Sequence, residues 1–303
     1  MITKCQVINQ TVNLWDLSNI MNNKILIIGS NGAVGSQLIQ TLINNKEKNY
    51  KGISRKNFDF KNFNKIKKII NNYSPSHIVN CAAITGLLQC EENINEAFEI
   101  NTYLPLKLSQ FSKAKKIKLI HFSTDAVFLG NTKKKIYNEN DTPNPGSIYG
   151  KTKFFAEELI KFEKNNLIIR LPILFGPSNK NQIIDKLTKN LLNNKKVLAS
   201  TDIYSTPVFT PYLCNFIYNE IISKNRFFNK RIIHFTSNQY MSIYDLIKKI
   251  SIKLKMNNNI SKVKDNFFKS KIIKPKNLGL KSLYKHNKYH KDFNINELIP
   301  NKF

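Results

Sequence analysis

From Lys24 onward the chain alternates two hydrophobic rhythms. KILIIG is an unbroken apolar run of buried-strand length, and past a glycine-rich turn VGSQLIQTLI repeats its apolar residues at helical spacing. The unit recurs as NYKGIS then FNKIKKII, HIVNCAA then INEAFEINTYLPLKLSQF, and KIKLIHFS then, after a long loop, YGKTKFFAEELIKF, before closing on NLIIRLP. Short apolar strands that alternate with amphipathic helices imply βαβ crossovers and a parallel sheet covered on both faces. The pattern therefore predicts an α/β fold, a doubly wound parallel sheet over residues 24–171. After Pro172 longer helices (NQIIDKLTKNLL, PYLCNFIYNEII, SIYDLIKKISIKL) are separated by short strands. These predict a smaller C-terminal α/β lobe over 172–303 that binds substrate and sends some elements back to the first domain.

Length and charge narrow the class. A chain of 303 residues can bury a large core. Its 48 Lys and Arg against 20 Asp and Glu give a formal charge of +28, but the excess is nearly all Lys and runs evenly along a chain rich in Asn and Ile. A nucleic-acid binder clusters its charge and favours Arg, whereas Arg occurs here only at 55, 170, 226 and 231. No nucleic-acid partner is expected, although the field should draw anionic small substrates. Cys5, Cys81, Cys90 and Cys214 form no C-x-x-C pair, and no His stands at metal-ligand spacing from them, so a reduced, cytoplasmic protein without a metal is expected. His77, His121 and His234 lie in or beside apolar strands and read as core residues without chemistry. The apolar stretch LIIRLPILFG is short and interrupted by Arg170, so no membrane span is expected. Residues 1–22 lack the pattern of a signal peptide. With Met21 just before the first strand, they read as an N-terminal extension or a misplaced start.

The first turn carries the clearest chemical signal. GSNGAVG spaces Gly29, Gly32 and Gly35 three apart between a strand and a helix. Such glycines permit a tight turn, close approach of the backbone to a pyrophosphate, and close helix–strand packing, with the positive end of the helix behind them. This is the dinucleotide site of a Rossmann-type sheet. At the end of the second strand, where an acid would bind the ribose of NAD, stand Ser54 and Arg55. A hydroxyl and a guanidinium suit a 2′-phosphate, so NADP(H) is preferred while NAD(H) remains an option.

SIYGKTK places Tyr149 and Lys153 one helical turn apart. Spacing alone decides nothing, because Tyr103/Lys107, Tyr244/Lys248 and Tyr284/Lys288 share it. What distinguishes Tyr149 is position, since the fourth strand ends in Ser123, Thr124 and Asp125 and the next helix begins at Tyr149. The order GSNGAVG, VNCAAIT, FSTDAVF, Y-x-E-x-D-x-P and YGKTK resembles the extended short-chain dehydrogenases acting on sugar nucleotides, most of all their dTDP-4-dehydrorhamnose reductase branch. Through DIYSTPVFT, HFTSNQYMSIYDL and KPKNLGLKSL the likeness covers about residues 24 to 303.

That resemblance implies NADPH-dependent reduction of a nucleoside-diphosphate 4-keto-6-deoxy sugar in deoxysugar or surface polysaccharide biosynthesis. It implies that Tyr149 donates a proton to the carbonyl oxygen, that Lys153 holds the cofactor ribose and lowers the tyrosine pKa, that Thr124 hydrogen-bonds the reacting oxygen, and that Asp125 is the acid beside it. Gly32, Ala33 and Val34 match the pyrophosphate loop, Asp59 and Phe60 the adenine wall, and Ala83, Ile84 and Thr85 the strand edge facing the cofactor. A homodimer is a further expectation.

Departures from the family pattern fall on the substrate side: Ala126 for Tyr, Ile173 for Trp, Ile84 for His, and Leu88 and Gln89 for an Asp-Lys pair. Two other readings stay open. One is a sugar-nucleotide epimerase with tightly bound NAD; the other is a non-catalytic NADP-binding regulatory subunit, as in methionine adenosyltransferase. A 4,6-dehydratase is disfavoured because Ala126 stands where that enzyme carries a catalytic Glu.

Overall fold

The computed structural model describes residues 23–131, 136–177, 182–256, 260–268, 274–286 and 289, so the expected N-terminal extension lies outside the described residues. Strands β1 (Ile25–Ile28), β2 (Tyr50–Ile53), β3 (His77–Asn80), β4 (Lys118–Thr124), β5 (Asn166–Leu171) and β6 (Ile232–His234) form one sheet in the order β2-β1-β3-β4-β5-β6. Every adjacent pair is parallel. Helices α1 (Ala33–Asn44), α2 (Phe63–Tyr73), α3 (Leu87–Glu92), α4 (Ile94–Phe98), α5 (Leu104–Lys115), α6 (Ile148–Ile160), α7 (Ile183–Leu192), α8 (Thr210–Phe216) and α9 (Ile243–Lys253) complete the framework. The strand order reverses between β1 and β3, which opens a crevice at their carboxyl ends, the binding position of doubly wound sheets.

Local chemistry sets the helix boundaries. Asn62 caps α2 by accepting from the Lys65 amide at 3.2 Å, and Ser74 ends that helix in the left-handed region. Ser147 caps α6 by accepting from the Gly150 amide at 3.1 Å. Between α4 and α5 the backbone continues helically through a π-turn, Glu99–Tyr103, that turns Asn101 fully inward.

Alternating strand residues feed two cores. Ile25, Ile27, Ile120, Leu167 and Ile169 pack with α1 and α8, and Val208, Phe216, Ile233 and Phe235 complete that layer from beyond Pro172. On the other face Leu26, Ile28, Ile78 and Leu119 meet Ile66 and Ile70 of α2 and Leu104 and Leu108 of α5. A third core joins α7 and α9 around Leu191, Val197, Leu246 and Ile250. Among the described residues no helix is long and apolar enough to cross a membrane.

Helix α6 buries two charged residues against the sheet. Glu157 is 0% exposed and Arg170 of β5 is 3% exposed; they pair through Nε–Oε1 at 3.0 Å and Nη2–Oε2 at 2.6 Å. Nη1 of the same guanidinium lies 3.4 Å from Nε2 of His234, and its carbon sits 5.2 Å above the Phe128 ring. Phe128 in turn stacks on Tyr137, with centroids 4.3 Å apart. The Y-x-E-x-D-x-P stretch is an anchoring device in this frame. Glu139 accepts from the His234 amide (2.8 Å), the Ser282 hydroxyl (2.7 Å) and the Leu283 amide (2.9 Å), while Asp141 accepts from the Asn138 amide at 2.7 Å.

Removing one partner of a buried ion pair strands the other. Arg170→Met should destabilise the protein by about 3–5 kcal/mol in urea unfolding, and adding Glu157→Leu should restore most of the loss. Near-equal stabilities of wild type and Arg170→Met would show that the pair is not sealed from water.

Candidate active site

The glycine turn fits a dinucleotide by geometry. Gly29 has φ +84°, and a Cβ there would stand 2.7 Å from the Ala82 amide nitrogen of the neighbouring strand end. A Cβ on Gly35 would overlap the Gly29 carbonyl oxygen. The amides of Gly29 and Ser30 both donate to Ile53 O, at 2.8 and 3.0 Å, which fastens the turn to β2. Helix α1 then starts at Ala33 with no side-chain cap from Gly32. The first-turn amides, those of Ala33, Val34 and Gly35, have no acceptor within the helix and suit an anion.

At the end of β2, Asn31 donates to the Ser54 hydroxyl at 3.0 Å, so a buried Ser54 faces the glycine turn while Arg55 is exposed beside it. Sequence reasoning missed Asn31, which stands inside the glycine motif. Asp59 is exposed and accepts from the Lys61 amide at 2.9 Å, whereas Phe60 is buried among Ile53 and Ile66. Past β3, Ala83 is half-buried, Ile84 buried and Thr85 exposed. The Asn101 side chain holds the Ile84 backbone from both sides, accepting from its N–H at 2.8 Å and donating to its C=O at 2.9 Å, and also donates to Thr152 Oγ1 at 3.1 Å. Asn101 thus ties the chain just past β3 to α6, a role legible only once the π-turn points it inward.

Thr124, Asp125 and Tyr149 come together at the carboxyl end of β4. The Thr124 hydroxyl donates to Asp125 Oδ1 at 3.0 Å and accepts from the Ala126 amide at 3.1 Å, and it is close enough to the Tyr149 phenol to act on its ionisation. Close approach makes this possible, because a Cβ on Gly150 would overlap the Ala126 carbonyl oxygen. On the outer side Glu91 of α3 accepts from the Ile148 amide at 2.9 Å, placing an acid at the positive end of α6. Ile173 follows β5 and packs on the third core, its carbonyl accepting from the Val208 amide at 2.9 Å.

Burial dominates the electrostatics. It raises the Tyr149 phenol above its ordinary value of 10.0, opposed by the nearby Thr124 hydroxyl and reinforced by the Asp125 charge. Lys153, expected to lower the phenol, is not among the groups that shift it here: 2% exposed, it sets Nζ 3.0 Å from Nε2 of His121. Burial brings that amine down to about 7, with Glu157 opposing. The Asp125 carboxyl is pushed up to about 7, again by burial, against hydrogen bonds from Thr124 and the backbone. His121, expected to be an inert core residue, is thus in contact with Lys153, a residue the sequence singles out. Its signal in the sequence was faint: Asn80 and His121 are polar positions in apolar strands, and β3 and β4 pair in a register that sets them side by side.

The chain matches the family model described as RmlD substrate binding domain over residues 23–296. It is 28% identical to the spore coat polysaccharide biosynthesis protein SpsK of Bacillus subtilis (strain 168) over 62% of this chain and 65% of SpsK, just under two thirds of that relative's length. It is 27% identical to a dTDP-4-dehydrorhamnose reductase of Aggregatibacter actinomycetemcomitans over 73% of this chain and 76% of the relative. A crystal structure of dTDP-4-dehydrorhamnose reductase from Bacillus anthracis str. Ames in complex with NADP superposes with a TM-score of 0.78 at 25% identity, covering 86% of this chain and 91% of that one.

Asp125 makes stability depend on pH. Its folded value of about 7 lies above the ordinary 3.8, so between those values the folded state keeps a proton that the unfolded state has lost, and stability falls as pH rises through the interval. Asp125→Asn removes this ionisation. Its gain in unfolding free energy over wild type should grow from about pH 4 to about pH 7 and then level off at about 4 kcal/mol. A difference that does not vary with pH would contradict the assignment.

Proposed function

The chain belongs to the RmlD substrate binding domain family, and on that footing we propose that it catalyses the NADPH-dependent reduction of a nucleoside-diphosphate 4-keto-6-deoxy sugar, as a dTDP-4-dehydrorhamnose reductase does. The observation that carries the reading is the convergence of Thr124, a buried Asp125 and the Tyr149 phenol at the carboxyl end of β4. When bound, NADPH supplies the hydride to the carbonyl carbon. The protein supplies binding and the proton. Backbone amides of the glycine turn and of the first turn of α1 hold the pyrophosphate, and Ser54 with Arg55 takes the 2′-phosphate. Tyr149 hands its proton to the carbonyl oxygen; a phenol kept protonated by burial is in the correct form for that task. Thr124 orients the same oxygen.

Residues 172–303 supply the sugar-facing side, including Ile173. Ala126 supports a reductase over a dehydratase, since a methyl group cannot remove a proton from the sugar. Free thiols at Cys81, Cys90 and Cys214 accord with a cytoplasmic enzyme. Phe155, Leu159 and Phe162 are exposed apolar residues on and just past α6 that a second copy could cover in a homodimer.

Purified protein should consume NADPH when given a nucleoside-diphosphate 4-keto-6-deoxy sugar. Bound NAD that does not exchange, with isomers interconverted and no net oxidation, would favour the epimerase instead. Tyr149→Phe should lower turnover about 10²- to 10⁴-fold with little change in cofactor affinity, while Tyr244→Phe, altered in a Tyr/Lys pair of identical spacing, should leave turnover intact. Full activity of Tyr149→Phe under conditions where chemistry limits the rate would remove the phenol from the mechanism. Arg55→Ala should weaken NADPH about tenfold and NADH hardly at all; equal losses would reassign the 2′-phosphate contact.

A further inference from the structure

The polar line from β3 to α6 fixes the direction of each proton within it. The Ala82 amide donates to Oδ1 of Asn80 at 3.2 Å. That leaves Nδ2, a donor without acceptor capacity, as the Asn80 atom 3.1 Å from Nδ1 of His121. Nδ1 must therefore accept, and the proton of the neutral imidazole sits on Nε2. A doubly protonated ring is ruled out, because its Nδ1–H would point at the Asn80 amide hydrogens. Nε2–H faces Nζ of Lys153 at 3.0 Å, and to accept this bond the lysine nitrogen needs a lone pair, which an ammonium lacks. Asn80, His121 and Lys153 are 1%, 0% and 2% exposed, so solvent cannot supply another partner.

We infer that His121, oriented by Asn80, is a positioning residue that holds Lys153 as its neutral amine, and that Lys153 takes up a proton when it turns to the ribose hydroxyls of a nicotinamide dinucleotide. The second half rests on the cofactor reading above. The surroundings agree with the first. Glu157, one turn further along α6, is the anion that favours an ammonium at Lys153, and both of its oxygens are engaged by Arg170 of β5. From β4 the facing group is His121 itself; Tyr149, one turn earlier on α6, lies beside Thr124, beyond which lies Asp125. Burial brings the Lys153 amine to about 7, so the neutral form prevails above that pH. Cofactor binding is thereby linked to proton uptake on the alkaline side of neutrality.

Calorimetric titration with NADPH at about pH 8, in buffers of unlike ionisation enthalpy, counts the protons exchanged. The 2′-phosphate is fully ionised there and contributes none. Wild type should take up about one proton per NADPH. Asn80→Asp keeps the bond to the Ala82 amide but offers an acceptor to His121. The imidazole proton then moves to Nδ1, Nε2 accepts, and Lys153 is held as ammonium, so NADPH should still bind while proton uptake is lost. If that variant fails to fold, His121→Gln, whose carbonyl can accept from the ammonium, should show the same loss. Binding without proton uptake in wild type, or undiminished uptake in a folded variant, overturns the inference and leaves the cofactor reading standing. Absence of NADPH binding by wild type overturns both.

Discussion

Helix α6 can lie on the sheet only because the sheet answers the charges the helix brings. Lys153 and Glu157 stand one turn apart on its buried face, and an apolar sheet beneath them would leave both without partners at a cost of several kcal/mol each. Instead, β3, β4, β5 and β6 contribute Asn80, His121, Arg170 and His234, polar residues set among apolar neighbours. This polar layer holds the helix in one register over the strands. Tyr149, near the start of the same helix, is thereby fixed against Thr124. The other fixed point is steric: Gly150 lets α6 meet the Ala126 carbonyl at backbone distance.

The glycine turn is built on a different principle, shape without side chains. Gly29 and Gly35 remove the two Cβ atoms that would collide with neighbouring backbone, and Ile53 O gathers two amides of the turn. Rigid backbone there and buried polar contacts under α6 meet through Asn101, which clasps Ile84 on one side and Thr152 on the other. A displacement of either half would therefore be felt by the other.

Hydrophobic rhythm made most of the framework legible, because β1 is a continuous apolar run, β3, β4 and β5 are built around apolar residues, and α1, α2 and α9 carry apolar residues at helical spacing. The glycine turn was legible for the same reason it works: glycine is required where no Cβ fits. Less of the polar layer could be read. A lysine and a glutamate at helical positions look like a solvated face, and only the paired register of β3 and β4 shows that His121 lies beside Asn80. The π-turn that buries Asn101 has no sequence rhythm of its own. Nor did the pattern reveal that the edge of the sheet would be closed by Ile232–His234, three residues between a 3₁₀ turn and a loop.

That edge strand ties folding to the order of synthesis. Leu167 and Ile169 are covered by Phe216, Ile233 and Phe235, and the His234 amide is fastened through Glu139 to Ser282 and Leu283. A nascent chain that has completed β5 still lacks the residues that seal one face of its own sheet. Contacts of such long sequence separation close late and slow the final step. An apolar surface therefore stays open to aggregation or to chaperones until nearly the whole chain has left the ribosome.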